Sequence, residues 1–305
     1  MTPDAALLDR PTTPGVSDPA RPLVGPATGR DLHVMSYNIR FQHSGTRRGD
    51  PDHWPDRAPR LTRLLRLEQP TLLGVQEALF HQLSVVERAL PAGYAMLGCG
   101  RAGGSKGEYS PIFYDARRLE LLEWDQFWLS DTPELIGSAT WGNTVPRIVT
   151  WGRFLDRGTG AELVLVNTHF DHDSETARDR SADAVVELVH SFRPHTPTVV
   201  TGDFNAVADD SAAYSTLVGS GVLRDTWAAA ERHLTPDLGT FPDYGHADGD
   251  DLRIDWVLAT PEVRVRAGGI NTARFDGGHP SDHAAVQALV RVDADEDPDD
   301  DAERA

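Results

Sequence analysis

Cysteine, lysine and long apolar runs are almost missing from this 305-residue chain, and each scarcity excludes something. The single cysteine, Cys99, rules out an internal disulfide framework and any multi-cysteine zinc site, and its simplest expected place is the interior, as a small apolar side chain. No apolar stretch approaches the roughly 18 to 20 residues that cross a bilayer. The opening segment, rich in Pro and Gly, has no basic region followed by a continuous apolar one, so it does not read as a secretory signal. The expected location is therefore the cytoplasm. Lysine occurs once, at Lys106, against 28 arginines.

Acidic residues are what the chain has in excess. The formal net charge is −18, and the segment from Asp293 to Ala305, with eight acids and one arginine, carries −7 of it. Such a block reads as a solvated, disordered tail. The remaining −11 argues against wholesale nucleic-acid binding, whose affinity comes mostly from basic side chains meeting phosphates. It leaves room for a local basic cleft. The expected organisation is a flexible leader over 1–30, one domain over 31–292 and the tail over 293–305.

Within that domain, short strands rich in β-branched and aromatic residues alternate with amphipathic stretches. The strands are LHVMSYN, LLGVQE, SPIFY, RIVTWGRFL, ELVLVNTH, TPTVVTGD, RIDWVLA and AAVQALVR. Helices are expected at DRAPRLTRLLRLEQ, with Leu61, Leu64 and Leu65 on one face, and at SETARDRSADAVVELVHSF, with Ser174 as N-cap and Ala184, Val185 and Leu188 facing inward. The alternation implies a layered α/β fold. Tryptophans 54, 128, 141 and 151 are read as core or rim packing.

Many of these strands end in a polar residue. Asn38 closes the first and Glu77 the next; His169 and Asp171 follow LVLVNT; Asp203 and Asn205 close TPTVVTGD; Asp255 begins DWVLA, and Asp282 with His283 precedes AAV. One Asp or Asn after a strand is ordinarily a turn former or helix cap. Six strand ends carrying carboxylates, amides and histidines point instead to a site built at the end of a rigid sheet. Oxygen donors without thiolates suit Mg²⁺ or Mn²⁺ better than zinc. Histidines oriented by acids would supply proton transfer and phosphate hydrogen bonds.

In order, MSYNIR, GVQEA, GEYSPIFY, VPRIVTW, NTHFDH, TGDFNA, RIDWVLA and PSDHAAV resemble the endonuclease/exonuclease/phosphatase superfamily with its deoxyribonuclease I-like fold, over roughly residues 31–292. The resemblance implies a four-layer α/β sandwich: two mixed sheets packed face to face, helices on the outer faces, and a site at one rim. It further implies that Asn38, Glu77 and Asp282 surround a Mg²⁺ or Mn²⁺ ion, with Glu77 the most direct ligand. Asp203 would orient or deprotonate the attacking water or bind a second metal, and Asn205 would donate to a phosphate oxygen. His283 would pair with Asp255, and His169 with Glu108. Arg147 matches an arginine near the phosphate, while Asp171 and His172 either orient His169 or form a turn.

The fold does not fix the substrate. A phosphatase or phosphodiesterase for a small phosphorylated molecule fits the acidic body. The alternative is a DNA or RNA nuclease, which would need a basic stripe at the rim. A sphingomyelinase-like enzyme would need an apolar membrane-facing segment, and none is evident; a non-catalytic binding module would be expected to have lost part of the site. The loop from Gly98 to Tyr109 is expected to be flexible, with Lys106 a candidate contact for a second substrate phosphate. The sequence leaves the oligomeric state open.

Overall fold

The computed structural model describes residues 17–192, 194–245, 247 and 251–293. Among the described residues, twelve strands form two six-stranded mixed sheets. The first sheet runs β11(Arg264–Asn271), β12(Ala285–Arg291), β1(Asp31–Asn38), β2(Leu72–Gln76), β4(Ile112–Asp115), β3(Tyr94–Leu97). The second runs β5(Leu119–Trp128), β6(Ile148–Asp156), β7(Glu162–His169), β8(Thr198–Asp203), β10(Asp255–Ala259), β9(Arg224–Asp225). Both sheets follow one plan. A central parallel pair, β1–β2 or β7–β8, is flanked on each side by an antiparallel neighbour. A parallel pair needs a crossover, and each has a helix: α1(Trp54–Glu68) joins β1 to β2, and α3(Glu175–Ser191) joins β7 to β8.

Period-two alternation sorts the side chains into layers. Leu32, Val34, Leu72, Leu163, Leu165, Val199, Val257 and Ala259 meet between the sheets. Their strand neighbours point outward: Met35, Tyr37, Leu73 and Val75 lie against α1 and α2(Phe80–Ala89), while Val164, Val166, Val200 and Trp256 lie against α3 and α4(Ala212–Gly219). The result is the four-layer sandwich. Each fully buried Leu, Val or Phe contributes roughly 1.5–3 kcal/mol.

Local signals account for most boundaries. Ser174 Oγ accepts from Ala177 N at the start of α3, as the sequence suggests. In α3 the buried row is Ala182, Val185 and Val189, so Ala184 and Leu188, expected inward, pack only half-buried at the side. α1 ends at Gln69, whose left-handed backbone (φ 41°) returns its N–H to the Leu65 carbonyl.

One expectation is corrected, and two segments expected to be flexible are found to make specific hydrogen bonds. Cys99 is exposed, at the end of an edge strand where its backbone N–H donates to Gln126 Oε1. Of the stretch expected as a flexible leader, the described part is tied down: the backbone N–H groups of Leu23, Val24 and Gly25 all donate to the buried Glu68 carboxylate, and Ser17 bonds to Thr272. The loop after Gly98 is pinned by backbone hydrogen bonds Gly100–Gly104 and Arg101–Glu108, and by Trp128 Nε1 donating to the Arg101 carbonyl. Residues 1–16 and 294–305, which hold the rest of the leader and nearly all of the tail, lie outside the described residues. Among the described residues no helix is long and apolar enough to cross a membrane.

Candidate active site

The layer between the sheets changes character along the strands. Below it is apolar; one step toward the C-terminal ends of the parallel pairs, the inward positions become Ser36, Gln76, Asn167 and Thr201, all buried. They are linked to one another by hydrogen bonds, with Gln76 Oε1 left without a partner among the described residues. Gln76 Nε2 donates to Ser36 Oγ (3.2 Å) and to Asn167 Oδ1 (2.7 Å), Thr201 Oγ1 donates to the same oxygen (3.0 Å), and Asn167 Nδ2 donates to the Val75 and Pro111 carbonyls. The close approach needs Gly74, because a Cβ there would stand 2.2 Å from Thr201 Oγ1. One pleat further on, the same inward rows deliver Asn38, His169, Asp203 and Asp255 to the rim. Ligands of open α/β sheets bind beyond these strand ends.

The outward-facing neighbours of those residues lock them in place. Phe170, Phe204 and Trp256, each adjacent in sequence to His169, Asp203 or Asp255, interlock on the opposite face: Phe204 stacks on Trp256 at 4.3 Å and meets Phe170 edge-on at 4.9 Å. Three of the nine non-glycine residues with left-handed backbone among the described residues lie here. Arg40, Glu77 and Asn205 hold left-handed φ values of 55°, 63° and 47°, each costing about 1–3 kcal/mol unless the surroundings impose it.

At the rim, Asn38 is the hub. Its Nδ2 donates to Glu77 Oε1 (2.9 Å) and Asp203 Oδ2 (2.8 Å) and lies 3.4 Å from His283 Nε2. Asn205 N donates to Asp203 Oδ1 at 3.0 Å. Asp282 is oriented by Ser281, whose hydroxyl contacts both the Asn38 carbonyl (2.7 Å) and Asp282 Oδ1 (3.1 Å). Glu77, Asp203 and His283 each place a ligand-type atom within 4.8 Å of the others. Glu77, Asp203, Asp255 and Asp282 are all buried here, and the cations nearest them are His283 and Arg40. A cluster so rich in carboxylate oxygen fits a hard divalent cation.

The two histidines differ sharply. His283 Nδ1 lies 2.8 Å from Asp255 Oδ2 and its Nε2 3.7 Å from Asp203 Oδ2. Burial alone would depress its pKa, but Asp255 and Asp203 outweigh it and hold the imidazole well above its usual range. His169 sits well below that range, because burial is reinforced by Arg147 and Arg101. Its Nε2 accepts from Asn205 Nδ2 (3.0 Å) and is 3.5 Å from Asp203 Oδ2. Burial and the neighbouring Asp255 push the Asp203 carboxyl up to about 7.

The expected Glu108–His169 pair does not form. Glu108 is taken by Arg101 Nη2 at 2.5 Å, and burial raises its pKa. The loop folds so that Arg101 turns inward, and no spacing rule reveals that. Lys106 is exposed at the loop tip, away from the carboxylate cluster's hydrogen bonds. Arg147 is buried: its Nε contacts Asp171 Oδ2 (3.2 Å), Nη2 donates to His172 Nδ1 (2.8 Å), and Nη1 has no hydrogen-bond partner among the described residues. Asp171 thus orients Arg147 rather than His169, and its other oxygen accepts from the backbone of Asp173 and Ser174. Two further residues were not singled out from sequence. Arg40 bridges Glu77 (3.7 Å), Asp282 (3.4 Å) and Asp52 (3.5 Å), and Phe241 packs its ring 4.8 Å from that of His283. Arg40 ends the MSYNIR segment, so the motif itself carried that signal.

A model of the Endonuclease/Exonuclease/phosphatase family matches residues 35–283, the span that supplies every strand end of this site. The chain belongs to the endonuclease/exonuclease/phosphatase family. Its similarity to solved members is close. A mannosyl-6-phosphatase of Bacteroides thetaiotaomicron is 33% identical with a TM-score of 0.79, over 85% of this chain and 99% of that one. A family protein of Bacteroides vulgatus is 33% identical, also at 0.79, over 86% and 99%. Among curated proteins, protein angel of Drosophila melanogaster is 28% identical over 254 residues, covering 76% of this chain and 69% of that one.

Proposed function

We propose that the protein is a Mg²⁺- or Mn²⁺-dependent phosphoester hydrolase that releases phosphate from a small phosphorylated molecule by in-line attack of water. The convergence of Glu77, Asp203 and His283 within 4.8 Å, beside Asn38 and Asp282, carries this reading. Glu77, Asn38 and Asp282 would hold the cation, with Asp203 at its edge. When bound, the ion neutralises phosphate oxygens and favours ionisation of a nearby water.

The remaining steps belong to the side chains. Asp203, with its carboxyl near 7, is suited to take a proton from water at neutral pH. His283, kept charged by Asp255, offers Nε2–H to a phosphate oxygen or to the leaving oxygen. Asn205 stands beside Asp203, but its amide hydrogens go to His169 Nε2 and the Phe170 carbonyl, so a phosphate oxygen would have to take one of them over; Arg147, paired with Asp171 through Nε, keeps Nη1 without a hydrogen-bond partner among the described residues and would offer it to the phosphate. Neutral His169 accepts from Asn205 and fixes its orientation.

A small substrate is favoured by the acidic body and by 33% identity to a sugar-phosphate phosphatase along almost its whole length. The experiment is a panel of sugar phosphates, inositol phosphates, nucleotides, single-stranded and duplex nucleic acid, and sphingomyelin, with Mg²⁺ or Mn²⁺. A preference of at least about 100-fold in kcat/KM for a small phosphomonoester is expected. Comparable or faster cleavage of DNA or RNA, falling steeply with salt, would replace this reading with the nuclease.

A further inference from the structure

Beside the site lies a second concavity, of about 210 Å³, between the segment 49–60 and the turn 274–279, with Tyr244 as a side wall. The turn is tight. Asp276 and Gly277 are both left-handed (φ 51° and 76°), and Phe275 and Gly278 exchange backbone hydrogen bonds of 2.8 and 3.0 Å, as in a two-residue hairpin. Gly278 lets the Arg60 guanidinium lie directly against the backbone, since a Cβ there would be 2.3 Å from Arg60 Cζ and Nη1. Arg60 is half-buried, and among the described residues it has neither an ion-pair nor a hydrogen-bond partner. Facing the same space are Asp50 and Asp56, each using one oxygen for a backbone N–H, from Arg47 and Gly49 respectively.

This wall is not a basic anion pocket, because Asp50 and Asp56 balance the charges of Arg60 and Arg274. Nor is it an apolar slot, because its side chains are mostly charged or polar. Carboxylates and guanidinium groups together suit groups that both donate and accept, which is the chemistry of vicinal hydroxyls. The volume is that of about seven waters, the scale of one pyranose ring and well short of a nucleotide. A chain of side chains links the cavity wall to the catalytic rim. Tyr244 Oη donates to Asp52 Oδ1 (2.8 Å), Asp52 Oδ2 lies 3.5 Å from Arg40 Nε, and that nitrogen lies 3.4 Å from Asp282 Oδ2.

We propose that this cavity receives the hydroxyl-bearing ring of a phosphosugar whose phosphate occupies the Glu77–Asp203–His283 pocket, with Arg60 donating to ring hydroxyls and Asp50 and Asp56 accepting from them. The proposal rests on the small-molecule reading above and assigns its specificity to residues outside the catalytic set.

The test compares Arg60→Ala and Gly278→Ala with the unaltered protein on a hexose 6-phosphate and on p-nitrophenyl phosphate, at saturating Mn²⁺. Gly278→Ala displaces only the flexible end of Arg60, so the fold is kept. The expected result is a KM for the sugar phosphate raised about tenfold or more, kcat within about twofold, and unchanged kinetics on p-nitrophenyl phosphate. Equal losses on both substrates, or no change on either, would overturn the proposal. A second arm, saturation-transfer NMR of hexose 6-phosphate on the chelator-treated protein, does not need turnover. Ring-proton signals lost in both variants support the cavity; signals absent from the unaltered protein, or retained in the variants, refute it. Failure to hydrolyse any small phosphoester would instead refute the functional reading and leave the NMR arm to judge the cavity.

Discussion

His169 and His283 are both buried imidazoles at strand ends of one pocket, yet their surroundings favour the neutral form of one and the charged form of the other. His283 lies between Asp255 and Asp203 and is held protonated. His169 has an amide and two arginines where a carboxylate partner was expected, and is held neutral. The difference teaches that burial does not set a histidine's role; the charge of what is buried beside it does. A pocket with one charged donor and one neutral acceptor can bind phosphate oxygen on one side and orient an amide on the other.

The comparison is broken most severely at His283. His283→Ala, or Asp203→Ala beside it, is expected to lower kcat by about 10³-fold or more while circular dichroism stays native. Asp255→Asn keeps the shape but removes the charge that holds the imidazolium, and a loss of about 10²- to 10⁴-fold is expected. Glu108→Gln is the matching change on the other side. Because Glu108 pairs with Arg101, its effect should stay below about tenfold; a loss equal to that of Asp255→Asn would show that Glu108 serves His169 after all. Glu77→Gln should weaken Mn²⁺ binding by about 10-fold or more, measured by titration calorimetry, without changing either histidine's charge.

The smallest effect sharpens the contrast through pH, in the metal-free protein. His283 has a raised folded pKa, so its contribution to stability is full below about 6.5 and is lost as pH rises through the folded value. His169 has a lowered one, so its contribution falls as pH drops from about 6.5 through the folded value. Urea unfolding across pH 4–9 should therefore give His283→Gln a deficit that shrinks toward high pH. His169→Gln should instead gain relative to the parent toward low pH. Parallel curves for the two variants would contradict the assignment.

Legibility in the sequence followed position in the sheet. The eight strands read from β-branched runs are the eight inner strands of the two sheets, while the four that were not read, β3, β5, β9 and β11, are their four edges. The edge strand LELLEWDQFW is mostly exposed or half-buried and carries charge, so its alternation is diluted. RVRAGGIN is interrupted by two glycines and a register shift. The strand-end residues Asn38, Glu77, His169, Asp203, Asp255 and His283 stood out because inward rows turned polar at one end. Partnerships did not stand out: Glu108 with Arg101, Asp171 with Arg147, and Arg40 across three carboxylates depend on how loops close, and no local spacing encodes that.

Metal dependence of phosphate release tests the central claim most directly. With a hexose 6-phosphate as substrate, the unaltered protein should release inorganic phosphate with Mg²⁺ or Mn²⁺, stop when the ion is chelated, and recover when it is restored, while His283→Ala stays silent throughout. Release that persists in chelator, or that survives loss of His283, would contradict a cation and a charged imidazole acting on one phosphorus centre.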